Sequence, residues 1–123
     1  MALIHLDANY VIAAFRRHDL ASELRHTAAG DPINISAIAW AEFLCGPIAG
    51  NEELYARALV DKVESLGETD AQFAARLFNQ TGRRLRSLPD CLIAAVAMRC
   101  GALLATINVA DFRRFERFGL ALL

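Results

Sequence analysis

The chain has 123 residues, of which 55% are hydrophobic, and its formal net charge at pH 7 is -1. This length suits one domain with its own hydrophobic core, and the composition excludes both an intrinsically disordered chain and a globally basic nucleic-acid-binding protein. Any contact with nucleic acid must therefore be local. We expect a single domain that spans residues 1–123.

The cysteines and the apolar segments narrow the class of protein further. Cys45, Cys91 and Cys100 are odd in number and form no C-x-x-C pair, so the sequence predicts neither a disulfide framework nor a zinc site. No basic segment precedes a long apolar run at the N-terminus, and no apolar stretch is long and clean enough to span a bilayer. We therefore expect a cytoplasmic protein without a membrane anchor.

Short apolar runs alternate with amphipathic segments along the first half of the chain. Residues 2–6 predict a buried strand, which is followed by a helix that begins near Ala8 and by a second helix over residues 19–29. Residues 33–35 predict the next strand, and Ser36 is a good N-cap for a helix that runs through Cys45. Asn51 is a predicted cap for the following helix. Residues 63–66 predict a brief strand, and Thr69 is expected to cap a helix over residues 70–81.

The second half of the chain continues the alternation. A basic loop after Gly82 leads to a helix that begins near Asp90 and ends before Gly101. A buried strand is predicted over residues 102–105, a short helix over 111–117 and an edge strand over 120–123. Strands separated by helices need crossover connections, which favours a mostly parallel sheet with helices on both faces. We predict a three-layer α/β/α sandwich whose ligand site lies at the carboxyl ends of the strands.

Four acidic residues interrupt otherwise apolar sequence near predicted strand ends and helix starts: Asp7, Glu42, Asp90 and Asp111. Taken singly, Asp90 and Asp111 are typical of helix caps, and Glu42 is typical of an exposed helix face. Taken together, the four side chains could converge on one cluster at the ends of the strands. Like charges packed together repel each other and need a cation.

Four segments in this order resemble the motifs of PIN-domain ribonucleases, and most of all those of VapC toxins from bacterial toxin–antitoxin pairs. The segments are LDANYVIAAF, AEFLCG, PDCLIAAVA and ATINVADFRRF, and the resemblance covers nearly the whole chain. It implies a PIN-like fold and carries over the four acids as the catalytic set. It also implies polar support from three residues: Asn9, Thr106 and Asn108. Asn9 stands where a small hydroxyl residue is often found, and Asn108 where many relatives have an acid.

The resemblance implies a metal-dependent endoribonuclease that leaves 5′-phosphate and 3′-hydroxyl ends. Hard cations such as Mg²⁺ or Mn²⁺ prefer oxygen ligands, so we expect Asp7 and Asp90 to bind the metal directly and Glu42 to bind it directly or through water. Asp111 would orient a water or a second ion. The metal would neutralise developing charge and lower the pKa of the water that attacks phosphorus.

Partners and substrate contacts also follow from the resemblance or from local charge. We expect an RNA substrate, such as tRNA or another structured RNA. We also expect a small cognate antitoxin that blocks the acidic site. The protein is expected to form a homodimer. Three loop residues could bind RNA phosphates, although a solvated loop explains them equally well: Arg83, Arg84 and Arg86.

Two other functions stay open at this point. One is a catalytically weak PIN-fold binding module that acts through a protein partner. The other is an aspartyl-phosphate phosphatase with Asp7 as its nucleophile. The phosphatase is the less favoured of the two, because its chemistry asks for a general-acid Asp where the chain has Asn9.

Overall fold

The computed structural model describes residues 2–123, and at its centre is a five-stranded sheet. The strands are β1 (Ile4–Leu6), β2 (Ile33–Ser36), β3 (Lys62–Glu64), β4 (Leu103–Ala105) and β5 (Ala121–Leu122). They lie in the order β3-β2-β1-β4-β5, and every neighbouring pair is parallel. The predicted parallel sheet is confirmed, and its last strand lies at an edge.

Helices connect the strands, because a parallel pair cannot be joined by a tight hairpin. Seven α-helices are found in residues 2–123: α1 (Ala8–Arg16), α2 (His18–Ala28), α3 (Ala37–Cys45), α4 (Gly50–Leu59), α5 (Glu68–Gln80), α6 (Leu88–Arg99) and α7 (Val109–Phe112). A 3₁₀ segment over Arg113–Phe118 follows α7. Helices and sheet form the predicted three-layer α/β/α sandwich. None of these helices, which are the ones the structure describes, could cross a membrane.

The core lies around the central strand β1 and its neighbour β2. All residues of β1 and β2 are buried, as expected for parallel strands that are covered on both faces. The largest fully buried side chains include Phe43 of α3, together with Phe112 and Phe115 near the C-terminus. His5 is 1% exposed, neither of its ring nitrogens has a hydrogen-bond partner within residues 2–123, and burial lowers its pKa.

Two helices begin earlier than predicted, so Asn51 and Thr69 lie inside α4 and α5 and are not caps. An acid in the first turn caps each of them instead. Asp70 Oδ2 accepts a hydrogen bond from the backbone N–H of Gly67 at 3.0 Å, and Glu52 makes the equivalent, longer contact in α4. This is the half of a capping box in which the acid reaches back to the preceding backbone. Ser36, by contrast, caps α3 as predicted.

Strand order reverses between β1 and β4, which lie side by side at the centre of the sheet. Leu6 and Ala105 are register partners at the carboxyl ends of these two strands. The backbone N–H of Asp7 donates to the Ala105 carbonyl at 2.9 Å, so the chain leaves both strands at the same place. In open α/β sheets this switch point is where ligands bind.

Candidate active site

Asp7 lies at the switch point, immediately after β1, and is only 5% exposed. Its Oδ1 accepts a hydrogen bond from the backbone N–H of Ala8 at 2.9 Å, which caps α1, and its Oδ2 accepts one from the Thr106 hydroxyl at 2.9 Å. Burial raises the pKa of Asp7 against the opposing effect of these two hydrogen bonds, and the charge of Asp111 raises it further.

Thr106 is the polar support that the structure places most clearly. Its hydroxyl donates to Asp7 and accepts a hydrogen bond from the backbone N–H of Asn108 at 3.0 Å. Asn108 therefore supports the site through its backbone. The Asn9 side chain is exposed in the first turn of α1, and neither asparagine side chain makes a hydrogen bond within residues 2–123.

Asp90 lies in the first turn of α6, at the partly buried edge of the same site. Desolvation raises its pKa to about 6, and the charges of Asp7 and Asp111 also raise it. Arg114 opposes this rise, because its Nη2 atom lies 3.7 Å from Asp90 Oδ2. The carboxylate thus has one cationic neighbour and three anionic ones: Asp7, Glu42 and Asp111.

Glu42 and Asp111 complete the acidic group from α3 and α7. The Glu42 side chain is exposed, but nearby protein atoms remove enough water to raise its pKa, and the charges of Asp7 and Asp90 raise it further. Asp111 is also exposed, and its charge acts on both Asp7 and Asp90. The structure therefore brings all four acids into one electrostatically coupled site.

Helix capping explains only one of these acids. Asp7 caps α1, whereas in the described part of the chain no backbone N–H donates a hydrogen bond to the side chain of Asp90 or Asp111. A partly desolvated carboxylate that is repelled by neighbouring charges and has no capping role, such as that of Asp90, is typical of functional sites.

The donor set of this site suits a hard divalent cation. Within residues 2–123, no three His, Cys, Asp or Glu side chains lie close enough together to form a ready-made metal centre. The acids are nevertheless coupled, and burial together with neighbouring negative charge raises the pKa values of Asp7, Glu42 and Asp90. A cation with a preference for oxygen ligands, such as Mg²⁺ or Mn²⁺, would relieve that repulsion.

The three arginines of the loop before α6 have different surroundings. Arg83 stacks on the Phe78 ring at 5.6 Å and donates a hydrogen bond to Asn79, both on α5. Arg86 is exposed. Arg84 lines a cleft of about 410 Å³ beside the site, which we call the arginine cleft and which is also lined by Gln80, Thr81, Gly82, Arg113, Arg114 and Arg117.

The sequence pattern did not point to Arg113, Arg114 or Arg117 as functional residues. One signal was available, because Arg113 and Arg117 are four residues apart in a predicted helix and therefore share a face. Their proximity to Arg84 and Asp90 depends on tertiary packing.

Residues 4–117 match the PIN domain family model, which covers most of the chain. The chain belongs to the PIN domain family. A search of curated protein sequences found no significant match.

Solved structures with the same fold include several toxin–antitoxin complexes. A chain of the VapBC-1 structure from nontypeable Haemophilus influenzae is 25% identical, with a TM-score of 0.71, and the match covers 98% of this chain and 96% of that one. A toxin–antitoxin complex from Klebsiella pneumoniae contains a chain that is 26% identical, with a TM-score of 0.69 and coverage of 92% and 91%. VapBC2 from Rickettsia felis, bound to a promoter DNA fragment, reaches a TM-score of 0.74 at 20% identity, with coverage of 98% and 97%.

Proposed function

We propose that this protein is a metal-dependent endoribonuclease that hydrolyses RNA phosphodiester bonds, and that it is the toxin of a VapBC-type pair. The observation that carries the proposal is the coupling of four carboxylates at the switch point of a PIN-domain sheet. The likeness to a chain of the VapBC-1 structure and to a chain of the toxin–antitoxin complex from Klebsiella pneumoniae supports the toxin role.

Each acid has a role in this proposal. Asp7 and Asp90 are direct metal ligands, Glu42 binds the metal directly or through water, and Asp111 orients a water or a second ion. When bound, Mg²⁺ or Mn²⁺ supplies positive charge against the phosphate and a water of lowered pKa. Because its pKa is about 6, Asp90 is mostly ionised at neutral pH and can act as a ligand.

The neighbouring residues hold the acids in position. Thr106 fixes Oδ2 of Asp7 through its hydroxyl, and the backbone N–H of Asn108 fixes that hydroxyl in turn. Asn9, in the first turn of α1, supports the same site from its exposed side. Arg83, Arg84 and Arg86 are proposed RNA contacts from the loop that precedes Asp90.

Partners are proposed from charge and from the related complexes. An anionic site attracts a cationic side chain, so a small cognate antitoxin can block it with an arginine or a lysine. The VapBC structures that share this fold support such a partner. We also propose a homodimer, with a structured RNA such as tRNA as the substrate.

A phosphatase that uses Asp7 as its nucleophile has less support. Both carboxylate oxygens of Asp7 accept hydrogen bonds, which makes the carboxylate a weaker nucleophile. Asn9 cannot serve as the general acid that this chemistry needs.

The experiment that tests the nuclease is cleavage of labelled total cellular RNA by the purified protein with Mg²⁺, with Mn²⁺ and with EDTA. We expect discrete fragments that need metal and disappear in the Asp7→Asn and Asp90→Asn variants. Asp19→Asn is the matched control, because Asp19 is an exposed acid in α2 that pairs with Arg17. Intact RNA in every lane, with protein that is folded and free of inhibitor, would reject the nuclease in favour of a binding module.

A further inference from the structure

The arginine cleft adjoins the acidic site. Arg114 belongs to both, because it lines the cleft and its guanidinium lies 3.7 Å from Asp90 Oδ2. The other three arginines of the cleft come from the loop after α5 and from the 3₁₀ segment: Arg84, Arg113 and Arg117. A concentration of positive charge therefore lies directly beside a concentration of negative charge.

Most of this positive charge is not neutralised by the protein itself. Within residues 2–123, the side chains of Arg84 and Arg113 make neither an ion pair nor a hydrogen bond. Arg117 donates to the backbone carbonyl of Gln80 at 2.9 Å and meets no carboxylate there. Like charges held together weaken the folded state through their mutual repulsion, so folding alone does not account for this cluster.

Aromatic stacking holds two of the guanidinium groups of the cleft in position. Arg114 and Arg117 each lie over an aromatic ring, Phe115 and Phe118, at 4.6 Å from the ring centre. Stacking occupies one face of the planar group and leaves its N–H edge for hydrogen bonds, of which Arg117 already makes one to the Gln80 carbonyl. The Nε atom of Arg114 is buried and has no partner among the described residues, so this donor is unsatisfied.

The turn after α5 brings Arg84 to the cleft. Gly82 has a φ of +89° and Arg83 a φ of 53°, so two successive residues adopt the left-handed conformation. This conformation is unfavourable for a residue with a side chain such as Arg83. The turn reverses the chain within a few residues and places Arg84 opposite the 3₁₀ segment that carries Arg113.

We propose that the arginine cleft binds the phosphate backbone of the RNA substrate beside the scissile bond, with Arg84 and Arg113 as phosphate contacts and Arg114 linking the cleft to Asp90. This inference rests on the proposed nuclease function and specifies which residues would bind the RNA substrate of that nuclease. Four carboxylates repel a polyanion, so productive binding needs compensating positive charge nearby. Arginine supplies it with a planar fork that matches phosphate oxygens.

The test measures RNA binding separately from cleavage. A fluorescein-labelled single-stranded RNA is titrated with Asp7→Asn protein in Mg²⁺ at several NaCl concentrations, and the anisotropy gives the Kd. The test variant adds Arg84→Gln and Arg113→Gln to this background, since neither side chain has a partner whose loss would disturb folding. The matched control adds Arg16→Gln and Arg25→Gln, two exposed arginines near the C-terminal ends of α1 and α2.

We expect the test variant to raise the Kd roughly tenfold or more and to lower the slope of log K against log salt by about 1.4, because each contact to a single strand contributes about 0.7. The control is expected to bind like the Asp7→Asn parent. Unchanged Kd and slope in a folded test variant would overturn the proposal.

Two further results separate this inference from the nuclease proposal. If the arginine substitutions leave RNA binding intact but abolish binding of a protein partner, the cleft is a protein-binding surface and the inference is wrong. If the cleft binds RNA as described but protein with intact Asp7 never cleaves it, the inference stands and the nuclease proposal fails.

Discussion

Asp90 carries a negative charge that the folded protein holds against both burial and its neighbours. Its pKa of about 6, compared with an ordinary value of 3.8, means that ionisation is harder in the folded chain than in the unfolded one. Arg114 compensates only in part, at a distance of 3.7 Å. Residues placed for a ligand often reduce stability in this way when the ligand is absent.

We predict that Asp90→Asn raises the free energy of unfolding of the metal-free protein at neutral pH, by about 1 kcal/mol, while it abolishes RNA cleavage. The amide keeps the shape of the side chain and removes the charge that Asp7 and Asp111 repel. Urea denaturation of both proteins measures the change. Asp19→Asn, at an exposed acid that pairs with Arg17, should show no stabilisation. A less stable Asp90→Asn variant would contradict the prediction.

The gain in unfolding free energy from Asp90→Asn should also depend on pH. A raised pKa means that between pH 3.8 and about 6 the folded state binds more protons at Asp90 than the unfolded state does. This contribution to stability is complete below pH 3.8 and is lost as the pH rises through about 6. The difference in unfolding free energy between variant and wild type should therefore be small near pH 3.8, grow as the pH rises to about 6, and then level off. Thermal melts of both proteins across this range measure it, and a difference independent of pH would reject the assignment.

At the scale of the elements, the loop after β4 connects the two halves of the site. Thr106 follows the last residue of that strand, donates to Asp7 at the start of α1, and accepts from the backbone of Asn108. One hydroxyl thus fixes a carboxylate on one element and the turn into α7 on another.

We predict that Thr106→Val lowers both stability and cleavage, whereas Thr106→Ser keeps most of each. Valine has nearly the shape of threonine but cannot donate to Asp7 or accept from the Asn108 N–H, and the loss of such hydrogen bonds costs about 1 kcal/mol or more. Serine retains the hydroxyl. Urea melts and initial cleavage rates of the two variants provide the comparison, and equal behaviour of Val and Ser would show that the hydroxyl has no role.

The elements themselves were largely predictable from the sequence. Short apolar runs marked the central strands because those strands are buried on both faces, and all residues of β1 and β2 are indeed buried. Helix starts were less predictable, because Asn51 and Thr69 resemble good caps by residue type. In α4 and α5 the hydrogen bond comes instead from an acid inside the first turn, at Glu52 and Asp70. The residue type at the expected cap position does not reveal that an acid inside the first turn accepts a hydrogen bond from the backbone that precedes the helix.

The acids of the candidate site stand out in the sequence for a different reason. Asp7 follows a buried strand and Asp90 opens a buried helix, so both charges stand out against apolar surroundings. Arg114 does not stand out against its neighbours in this way, because it lies in a basic stretch of the sequence. Its partner Asp90 is on another element, so the sequence around Arg114 does not indicate the contact. Contacts of this kind are set by how α6 packs against the C-terminal segment, which residue spacing does not encode.

For the whole molecule, the net charge of -1 hides an uneven distribution. Four acids surround the switch point, while the neighbouring cleft is lined by four arginines. In the proposed function the first group attracts a cation and the second attracts RNA, so metal and substrate bind at adjacent places.

We predict that Mg²⁺ raises the melting temperature of the protein even without RNA, because a ligand that binds only the folded state stabilises it. The gain is about 2.7 kcal/mol at a concentration one hundred times the Kd. Asp7→Asn and Asp90→Asn should show a much smaller rise, and Asp19→Asn should behave like wild type. Differential scanning fluorimetry with NaCl at matched ionic strength measures the specific effect. A rise that NaCl reproduces in full would mean simple screening.

The hydrogen bond between Thr106 and Asp7 joins residues that are 99 positions apart in the chain. Translation produces β1, β2 and β3 before β4, so a nascent chain has Asp7 before it has the hydroxyl that orients this carboxylate and before it has Asp111 or Arg114. For the proposed endoribonuclease, the acidic site is therefore incomplete until the segment after β4 has left the exit tunnel. We expect this order of synthesis to keep the growing chain inactive beside the RNA of the ribosome that makes it.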